Sequence, residues 1–382
     1  MVGDASTVRN IFALIAILYL GFSFKKIGFM CGSHVYWLLA VFIFGLYHVL
    51  HILLFGDLDA HLSGYIKFLL IPLFIIYLFN TGFWRFSIYL GVVIGSTLAV
   101  YYGYLEIKAH PYWHRLKIGH NSIVLAWLLL LYSLVMLESL FEYKNLLMKL
   151  VSLVCFAALC VLISYTGVRG AYIVLCFIVI AYFSRWIKPY SIKIKSAALI
   201  LFLCAFGVFS IWVSNQPSIA IRIKSTVTEL EQIQSGNLNT SIGLRLNSWY
   251  VTGVMIQERP ILGYGESRDF LIAESQRVAS EKEIDLNAVA MLQHVHNQFL
   301  QIWLEYGFLG FVLLCFVFMA IVNKPPQGGS WLLYSFLFMF VFLSMTDSTF
   351  KNNVLVTAFF VVGSILRLYK DPMVAKSFAE KS

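Results

Sequence analysis

The chain has 382 residues, of which 60% are hydrophobic, 16% aromatic and only 12% charged, and this composition excludes an ordinary soluble protein. Its formal net charge of +9 does not indicate nucleic-acid binding, because the basic residues of a membrane protein first set its orientation. All six cysteines lie in or beside apolar segments, and none has a histidine at zinc-like spacing. Neither a disulfide framework nor a cysteine metal site is therefore predicted.

Eleven apolar runs follow one another along the chain, and a helix needs about 20 such residues to cross a bilayer. The runs lie near residues 10–24, 35–55, 65–80, 86–104, 118–138, 149–167, 170–184, 196–214, 297–322, 330–346 and 353–368. The first run lacks the small-residue cleavage site of a signal peptide and is predicted to be a retained helix. The predicted fold class is all-α, a polytopic transmembrane helical bundle of 11 or 12 helices.

Lysine and arginine are unevenly divided between the two sets of alternating connections. One set, which includes residues 185–195 and the tail from 367 onward, carries fourteen of them, and the other carries seven. The richer set is predicted to face the cytoplasm. Residues 215–296 then face the periplasm as one large loop, with the N-terminus outside and the C-terminus inside.

The loop 215–296 carries nine of the nineteen acidic residues. Residues 244–256 have apolar positions at helical spacing, and the following ERPILGYG supplies proline and glycine as helix breakers. We therefore expect a folded loop with helices over the membrane surface. The predicted domains are an N-terminal transmembrane bundle (1–214), the loop with catalytic residues (215–296) and C-terminal transmembrane helices (297–382).

Two arginines are candidate phosphate ligands. Arg169, in SYTGVRGAY, lies at the tip of a tight hairpin near the outer membrane boundary, where a partly desolvated guanidinium binds phosphate strongly. Its alternative role is an interface anchor that reaches the lipid headgroups. Arg245 begins the predicted loop helix, and its alternative role is a solvated surface charge.

His294, His296 and Asn297, in HVHNQFLQIWLEYGFLGF, mark the point where the polar loop meets the ninth apolar run. A histidine at this boundary can act as a base near neutral pH. The spacing of the two histidines is poor for metal ligands on a helix, and no carboxylate or cysteine lies at ligand spacing, so no metal is predicted. Asp347 ends the tenth run, at the membrane edge. Because a charged side chain there is costly in free energy, a partner is expected, either in a structural ion pair or in catalysis.

The pattern His-Asn, nine residues, Gly, two residues, Gly, formed by His296, Asn297, Gly307 and Gly310, resembles the signature of O-antigen ligases. The similarity extends from about residue 35 onward. The chain departs from the family near its N-terminus, where twelve helices are expected in all and eleven are found. O-antigen polymerases share the layout of a long outer loop followed by a segment that contains histidine.

The resemblance implies a Gram-negative inner-membrane glycosyltransferase with its active site toward the periplasm. The donor would be O-antigen on undecaprenyl pyrophosphate and the acceptor the lipid A-core oligosaccharide, both embedded among membrane lipids, with no cofactor. Arg169 and Arg245 would hold the pyrophosphate, and His296 would be the base of an inverting reaction, with His294 in reserve. Further substrate contacts are predicted for Arg222, Arg268, His294 and Asn297.

The alternatives to a ligase are an O-antigen polymerase, a transporter and a purely structural protein. An O-antigen polymerase would use the same donor with a second lipid-linked glycan as acceptor. A transporter would show buried charges or breaks near the membrane centre, and the bilayer centres look almost free of charge. A purely structural role is the least favoured.

Overall fold

The computed structural model describes residues 33–55, 71, 85–110, 115–119, 121–215, 217–284, 294–323 and 330–368. Within these ranges the chain forms twelve α-helices and a 3-10 turn at Thr349–Lys351, with no β-strand. The helices are α1 Ser33–Phe55, α2 Arg85–Ala109, α3 Ser122–Glu142, α4 Leu146–Thr166, α5 Arg169–Ile187, α6 Ile192–Ser214, α7 Pro217–Gln234, α8 Ser241–Glu258, α9 Arg268–Glu281, α10 Gln298–Val322, α11 Ser330–Ser344 and α12 Asn353–Leu368.

Nine of the eleven predicted membrane spans coincide with helices, and the runs 10–24 and 65–80 lie outside the described residues apart from residue 71. Six of the described helices, α1 to α5 and α10, contain apolar stretches of 19 to 25 residues that are long enough to cross a membrane. Shorter apolar stretches lie in α11 and α12. The predicted fold class, a multi-pass transmembrane helical protein, is confirmed.

The polar segment 215–296 is folded where it is described. It contains α7, α8 and α9, and the helix predicted over residues 244–256 is confirmed as α8. The hydroxyl of Thr240 accepts a hydrogen bond from the Gly243 amide at 3.0 Å and so fixes where α8 begins. The side of the membrane on which this segment lies stays a prediction.

The chain divides into two compact units. The second unit comprises Arg85–Glu231, and the first comprises Met1–Trp84 together with Gln232–Ser382. The three domains predicted from the sequence follow the expected sides of the membrane instead, and that division stays a prediction.

The second unit is built around α3, whose residues are mostly buried between α2, α4 and α5. Asparagine side chains cap two of its helices, with Asn121 accepting from the Ile123 amide and Asn145 from the Leu147 amide. Gly167 ends α4 in the left-handed conformation, with φ of 64°. The chain can therefore reverse at once, and α5 begins at Arg169.

The first unit is built around α10, which packs against α1, α8, α11 and α12. Outside the apolar stretches, α8, α9 and the first turns of α10 share a hydrophobic core whose members include Val251, Met255, Val278, Val295 and Leu304. This core holds the loop helices and the start of α10 as one body.

Helix α10 is broken at Gly307, which has φ of 68° and ψ of −171°. The segment 260–265 fills the break: the amides of Tyr264 and Gly265 donate to the carbonyls of Leu304 and Glu305 at 2.8 and 2.9 Å. The Phe308 amide donates to the Pro260 carbonyl at 2.8 Å, so the backbone groups freed by the break regain partners. A Cβ at Gly307 would collide with the Ile261 carbonyl, which explains why the motif has glycine at this position.

Candidate functional site

The segment 294–297 reaches α10 through a fixed backbone. The Val295 amide donates to the Gln301 side chain, and the Val295 carbonyl accepts from the Trp249 indole, both at 2.9 Å. The Asn297 carboxamide oxygen accepts from the Phe299 and Leu300 amides and so caps α10. His296 lies in the left-handed region with φ of 55°, an uncommon conformation that this surrounding network holds in place.

The two histidines meet Asp347, which follows α11. His296 Nδ1 lies 3.3 Å from Asp347 Oδ1, and His294 Nδ1 lies 3.9 Å from the same oxygen. The imidazole centroids are 4.0 Å apart. The Ser348 amide also donates to Asp347 Oδ1 at 2.9 Å, which orients the carboxylate. The partner that the membrane-edge position of Asp347 suggested is thus the histidine pair.

The protonation states of this group follow from its surroundings. Burial alone would raise the pKa of Asp347, but its hydrogen bond to His296 and the charges that both histidines can carry outweigh burial and hold this pKa below its ordinary value. Burial lowers the pKa of His294, and the neighbouring His296 lowers it further. At neutral pH Asp347 is therefore ionised and His294 neutral.

The same three side chains have the geometry of a metal site. Their ligand atoms all lie within 4.8 Å of one another. The sequence argument against a metal relied on the lack of a nearby carboxylate, and the fold supplies one from 51 residues beyond His296. Two imidazoles and one carboxylate fit a zinc ion with an open coordination position. The absence of a metal therefore stays a prediction.

A cavity of about 230 Å³ adjoins the histidines. Its polar lining includes Ser248 and Thr252 of α8, Glu266 of the GYGES turn, His294, Glu305 of α10 and Lys351. Lys351 Nζ lies 2.7 Å from both Glu266 Oε1 and Glu305 Oε1. Burial would lower the pKa of Lys351, but the two carboxylates outweigh burial and hold it above its ordinary value.

These three charged residues were missed in the sequence. In the sequence, Lys351 is one of the seven basic residues in the poorer set of connections, and neither Glu266 nor Glu305 belongs to a recognised motif. Glu305 did carry a signal, because an acidic residue inside an apolar run is costly and usually functional. Nothing local in the sequence indicates that Glu266, Glu305 and Lys351 meet.

Two of the predicted arginines lie near the histidines. Arg245 is partly buried in α8, and its charge contributes to the lowered pKa of His294. Arg268 begins α9, is exposed, and lines the cavity. Arg222 lies in α7, and its side chain is outside the described part of the chain.

Arg169 belongs to the second unit. Its guanidinium donates to Glu229 Oε1 at 2.9 Å and to the Ser225 hydroxyl at 3.1 Å. Both partners lie on α7. The hairpin position predicted from the sequence is confirmed, whereas the contact with pyrophosphate stays a prediction.

The helices and the histidine-carboxylate group together define a multi-pass membrane protein with a polar site at the start of an apolar helix. A protein-family model described as O-antigen ligase matches residues 151–315, a stretch that includes Arg169, Arg245 and His296. This match confirms the resemblance to O-antigen ligases that the His-Asn motif indicated, and it supports a ligase-like or polymerase-like role.

A curated relative gives a weaker comparison. An uncharacterized protein of Haemophilus influenzae is 23% identical over 222 residues, which are 56% of this chain and 51% of that protein. The matched region thus spans about half the length of the relative, and the relative's description names no activity.

Proposed function

We propose that this protein is an O-antigen ligase that transfers O-antigen polysaccharide from undecaprenyl pyrophosphate to the lipid A-core oligosaccharide at the periplasmic face of the inner membrane. The observation that carries the proposal is the His296–Asp347 pair, which lies at the start of α10 next to a polar cavity. The family match over residues 151–315 supports the reaction class.

In the proposed reaction His296 is the general base. Its Nδ1 faces Asp347, so a proton on Nδ1 directed at the carboxylate leaves Nε2 as the basic nitrogen. Nε2 takes the proton of the acceptor hydroxyl while the hydroxyl oxygen bonds to the anomeric carbon of the donor. The bond from that carbon to the pyrophosphate oxygen breaks, its electron pair leaves with undecaprenyl pyrophosphate, and attack from the opposite face inverts the anomeric centre.

Asp347 would stabilise the imidazolium that forms on His296. Its lowered pKa keeps it ionised, so it can accept the Nδ1 hydrogen bond throughout the reaction. General base catalysis of this kind contributes about 10²- to 10⁴-fold. His294 is the reserve base, and its neutral state avoids adding a positive charge next to His296.

Arg245 and Arg169 would stabilise the negative charge that grows on the leaving pyrophosphate, and two cations would replace a metal in this role. Arg169 would have to exchange its bond to Glu229 for one to phosphate, which is likewise a charge-assisted partner for guanidinium. Arg222 and Arg268 would add further phosphate contacts, and Asn297 would position the entry of α10.

The test incubates purified full-length protein with lipid-linked O-antigen and rough lipopolysaccharide, in EDTA and without nucleotide, and reads the products as a ladder on a gel. The wild type and the control variant His110→Ala, an exposed histidine at the end of α2, should give the ladder. His296→Ala, Arg169→Ala and Arg245→Ala should lose it.

Three results would contradict parts of the proposal. Retained ligation by His296→Ala would remove the base role. Loss of the ladder in EDTA with recovery in Zn²⁺ would assign His294, His296 and Asp347 to a metal site. Longer lipid-linked chains without a modified core would show a polymerase instead.

A further inference from the structure

The charged cluster of Lys351, Glu266 and Glu305 is unusual because it lies inside the protein and contains more carboxylates than ammonium groups. Glu305 is 1% exposed and Glu266 is 5% exposed, and Lys351 Nζ lies 2.7 Å from a carboxylate oxygen of each. A buried carboxylate is costly unless it is paired and hydrogen-bonded. Each oxygen of the Glu305 carboxylate therefore needs a partner.

The two carboxylate oxygens of Glu305 differ in their hydrogen bonds. Its Oε1 accepts from Lys351 and from the Gln301 amide, both at 2.7 Å, while its Oε2 is buried without a hydrogen-bond partner among the described residues. Nδ1 of His294 is a second buried polar atom without a hydrogen bond. Both residues line the same cavity, so this cavity offers a strong acceptor and an imidazole to whatever enters it.

The lining of the cavity selects among the parts of the proposed substrates. Apolar side chains such as Met255 and Leu271 share the lining with the buried hydroxyls of Ser248 and Thr252 and the amide of Gln301. An acyl chain would leave these polar groups without hydrogen-bond partners, at a cost in free energy. The carboxylates of Glu266 and Glu305 would repel a phosphate group placed next to them, and Lys351 is already paired with both; a phosphate contact is left only to Arg268, which is exposed. Sugar hydroxyls can donate to carboxylates and accept from amides and hydroxyls, so they satisfy this lining.

The position of the cavity selects between the two sugars of the reaction. His294 lines the cavity and stacks edge to face on His296, with ring centroids 4.0 Å apart. The base must reach the hydroxyl of the acceptor, so a sugar held in this cavity next to the histidines is the one that carries the nucleophile.

We propose that the cavity beside His294 binds a neutral sugar residue of the acceptor, with Glu305 Oε2 accepting a hydrogen bond from one of its hydroxyls. Glu305 is then a specificity-determining residue for the acceptor. Lys351 and the docked segment 260–265 position Glu305 and Glu266. The inference rests on the proposed ligase function for the identity of the acceptor.

The break in α10 is what allows this arrangement. The carbonyl of Glu305 is held by the Gly265 amide instead of by a helical partner, and Glu266 follows Gly265 directly. The two carboxylates are thereby brought to one wall of the cavity from segments about 40 residues apart in sequence. An unbroken helix with glutamate at the same position would not place Glu266 there.

The experiment measures KM separately for acceptor and donor with Glu305→Gln and with Glu281→Gln, a matched control whose carboxylate pairs with Arg277 outside the cavity. We expect Glu305→Gln to raise the acceptor KM about 10- to 100-fold, the cost of losing one hydrogen bond to a charged group, and to leave the donor KM unchanged. Its melting temperature should fall only slightly, because Lys351 keeps Glu266 as its countercharge.

An unchanged acceptor KM would overturn the proposal and leave water as the partner of Glu305. A rise in the donor KM alone would overturn the acceptor assignment. If the wild type transfers no glycan at all, the proposed function fails instead, and the cavity is then tested by titrating the protein with delipidated core oligosaccharide. Binding to wild type and Glu281→Gln but not to Glu305→Gln supports the cavity, and equal binding to all three overturns it.

Discussion

The two units each bury a charged cluster, and the clusters differ in their balance. In the second unit Glu138, 2% exposed, accepts from Arg185 at 2.7 Å and from the Tyr182 hydroxyl at 2.8 Å. The Arg185 guanidinium also lies over the Phe141 ring, 4.6 Å from its centroid. One carboxylate meets one guanidinium, and an aromatic ring covers the pair. In the first unit the Lys351 ammonium contacts two carboxylates, those of Glu266 and Glu305, and all three residues line a cavity.

The difference separates a structural ion pair from a candidate binding site. The Glu138–Arg185 pair is covered by an aromatic ring and does not line the cavity beside His294, and removing either partner leaves an uncompensated charge. In the Lys351 cluster, Glu305 lines the cavity, and its Oε2 is buried without a hydrogen bond among the described residues. Such an oxygen is more costly to the free protein than to a complex that supplies a hydrogen-bond donor.

The largest expected effect comes from the structural pair. Arg185→Met should lower the free energy of unfolding by about 3–5 kcal/mol, because it leaves the Glu138 carboxylate buried without its countercharge. Denaturant unfolding in detergent, monitored by tryptophan fluorescence, measures this change. Glu305→Gln, measured in the same way, should cost less, about 1 kcal/mol, because Lys351 keeps Glu266 as its countercharge and glutamine keeps an oxygen that can accept from Lys351.

The relative size of these two changes in the free energy of unfolding tests the comparison between the units. If Glu305→Gln destabilises the protein as much as Arg185→Met does, the Lys351 cluster is a second structural pair and the comparison between the units collapses. Glu281→Gln serves as the control for a surface carboxylate, since its side chain is 54% exposed.

The glycine break predicts an intermediate effect. Gly307→Ala should destabilise the first unit by about 1–3 kcal/mol from backbone strain alone, because φ of 68° with ψ of −171° is open almost only to glycine. The collision of the new Cβ with the Ile261 carbonyl adds to this cost. The free energy of unfolding in detergent measures it.

Gly253→Ala is the matched control for this substitution. Gly253 lies inside α8, and a Cβ there would meet nothing within 4 Å. Alanine should therefore stabilise α8 by about 0.5–1 kcal/mol. Equal effects of the two substitutions would show that the docking of residues 260–265 on α10 contributes nothing to stability.

The sequence predicted what local patterns encode. Apolar run length predicted nine spans that coincide with helices, and the His-Asn motif predicted the histidine segment and its helix. The contact between His296 and Asp347 could not be predicted in the same way, because they are 51 positions apart in the sequence and two helices, α10 and α11, lie between them. The meeting of Glu266 with Glu305 depends on a helix break, and periodicity alone does not reveal one.

Gly307 shows which part of a contact can be predicted from the sequence and which part cannot. Its place in the motif was visible in the sequence, but its close packing against another segment was not. The partner of that packing, the segment 260–265, was visible only as a run of helix breakers. Each half of this contact carried a signal, but the pairing of the halves is a property of the fold.

The smallest expected effect is a dependence of stability on pH. The pKa of His294 is lower in the folded protein than in the unfolded chain, so the unfolded chain binds more protons as pH falls. The contribution of His294 is therefore fully present above about pH 6.5, its unfolded pKa, and is lost as pH falls through its folded pKa. Asp347 adds a loss of the same sign that begins only near pH 4.

The melting temperature of wild type and His294→Gln, measured in detergent between about pH 7 and pH 4.5, isolates the histidine contribution because Asp347 stays ionised over most of this range. The wild type should lose stability on acidification and His294→Gln should lose less, with a difference below about 1 kcal/mol because solvent screens a side chain that is 33% exposed. A steeper loss in His294→Gln than in wild type would mean that protonated His294 stabilises the fold through Asp347, and the neutral His294 assumed at the site would be wrong.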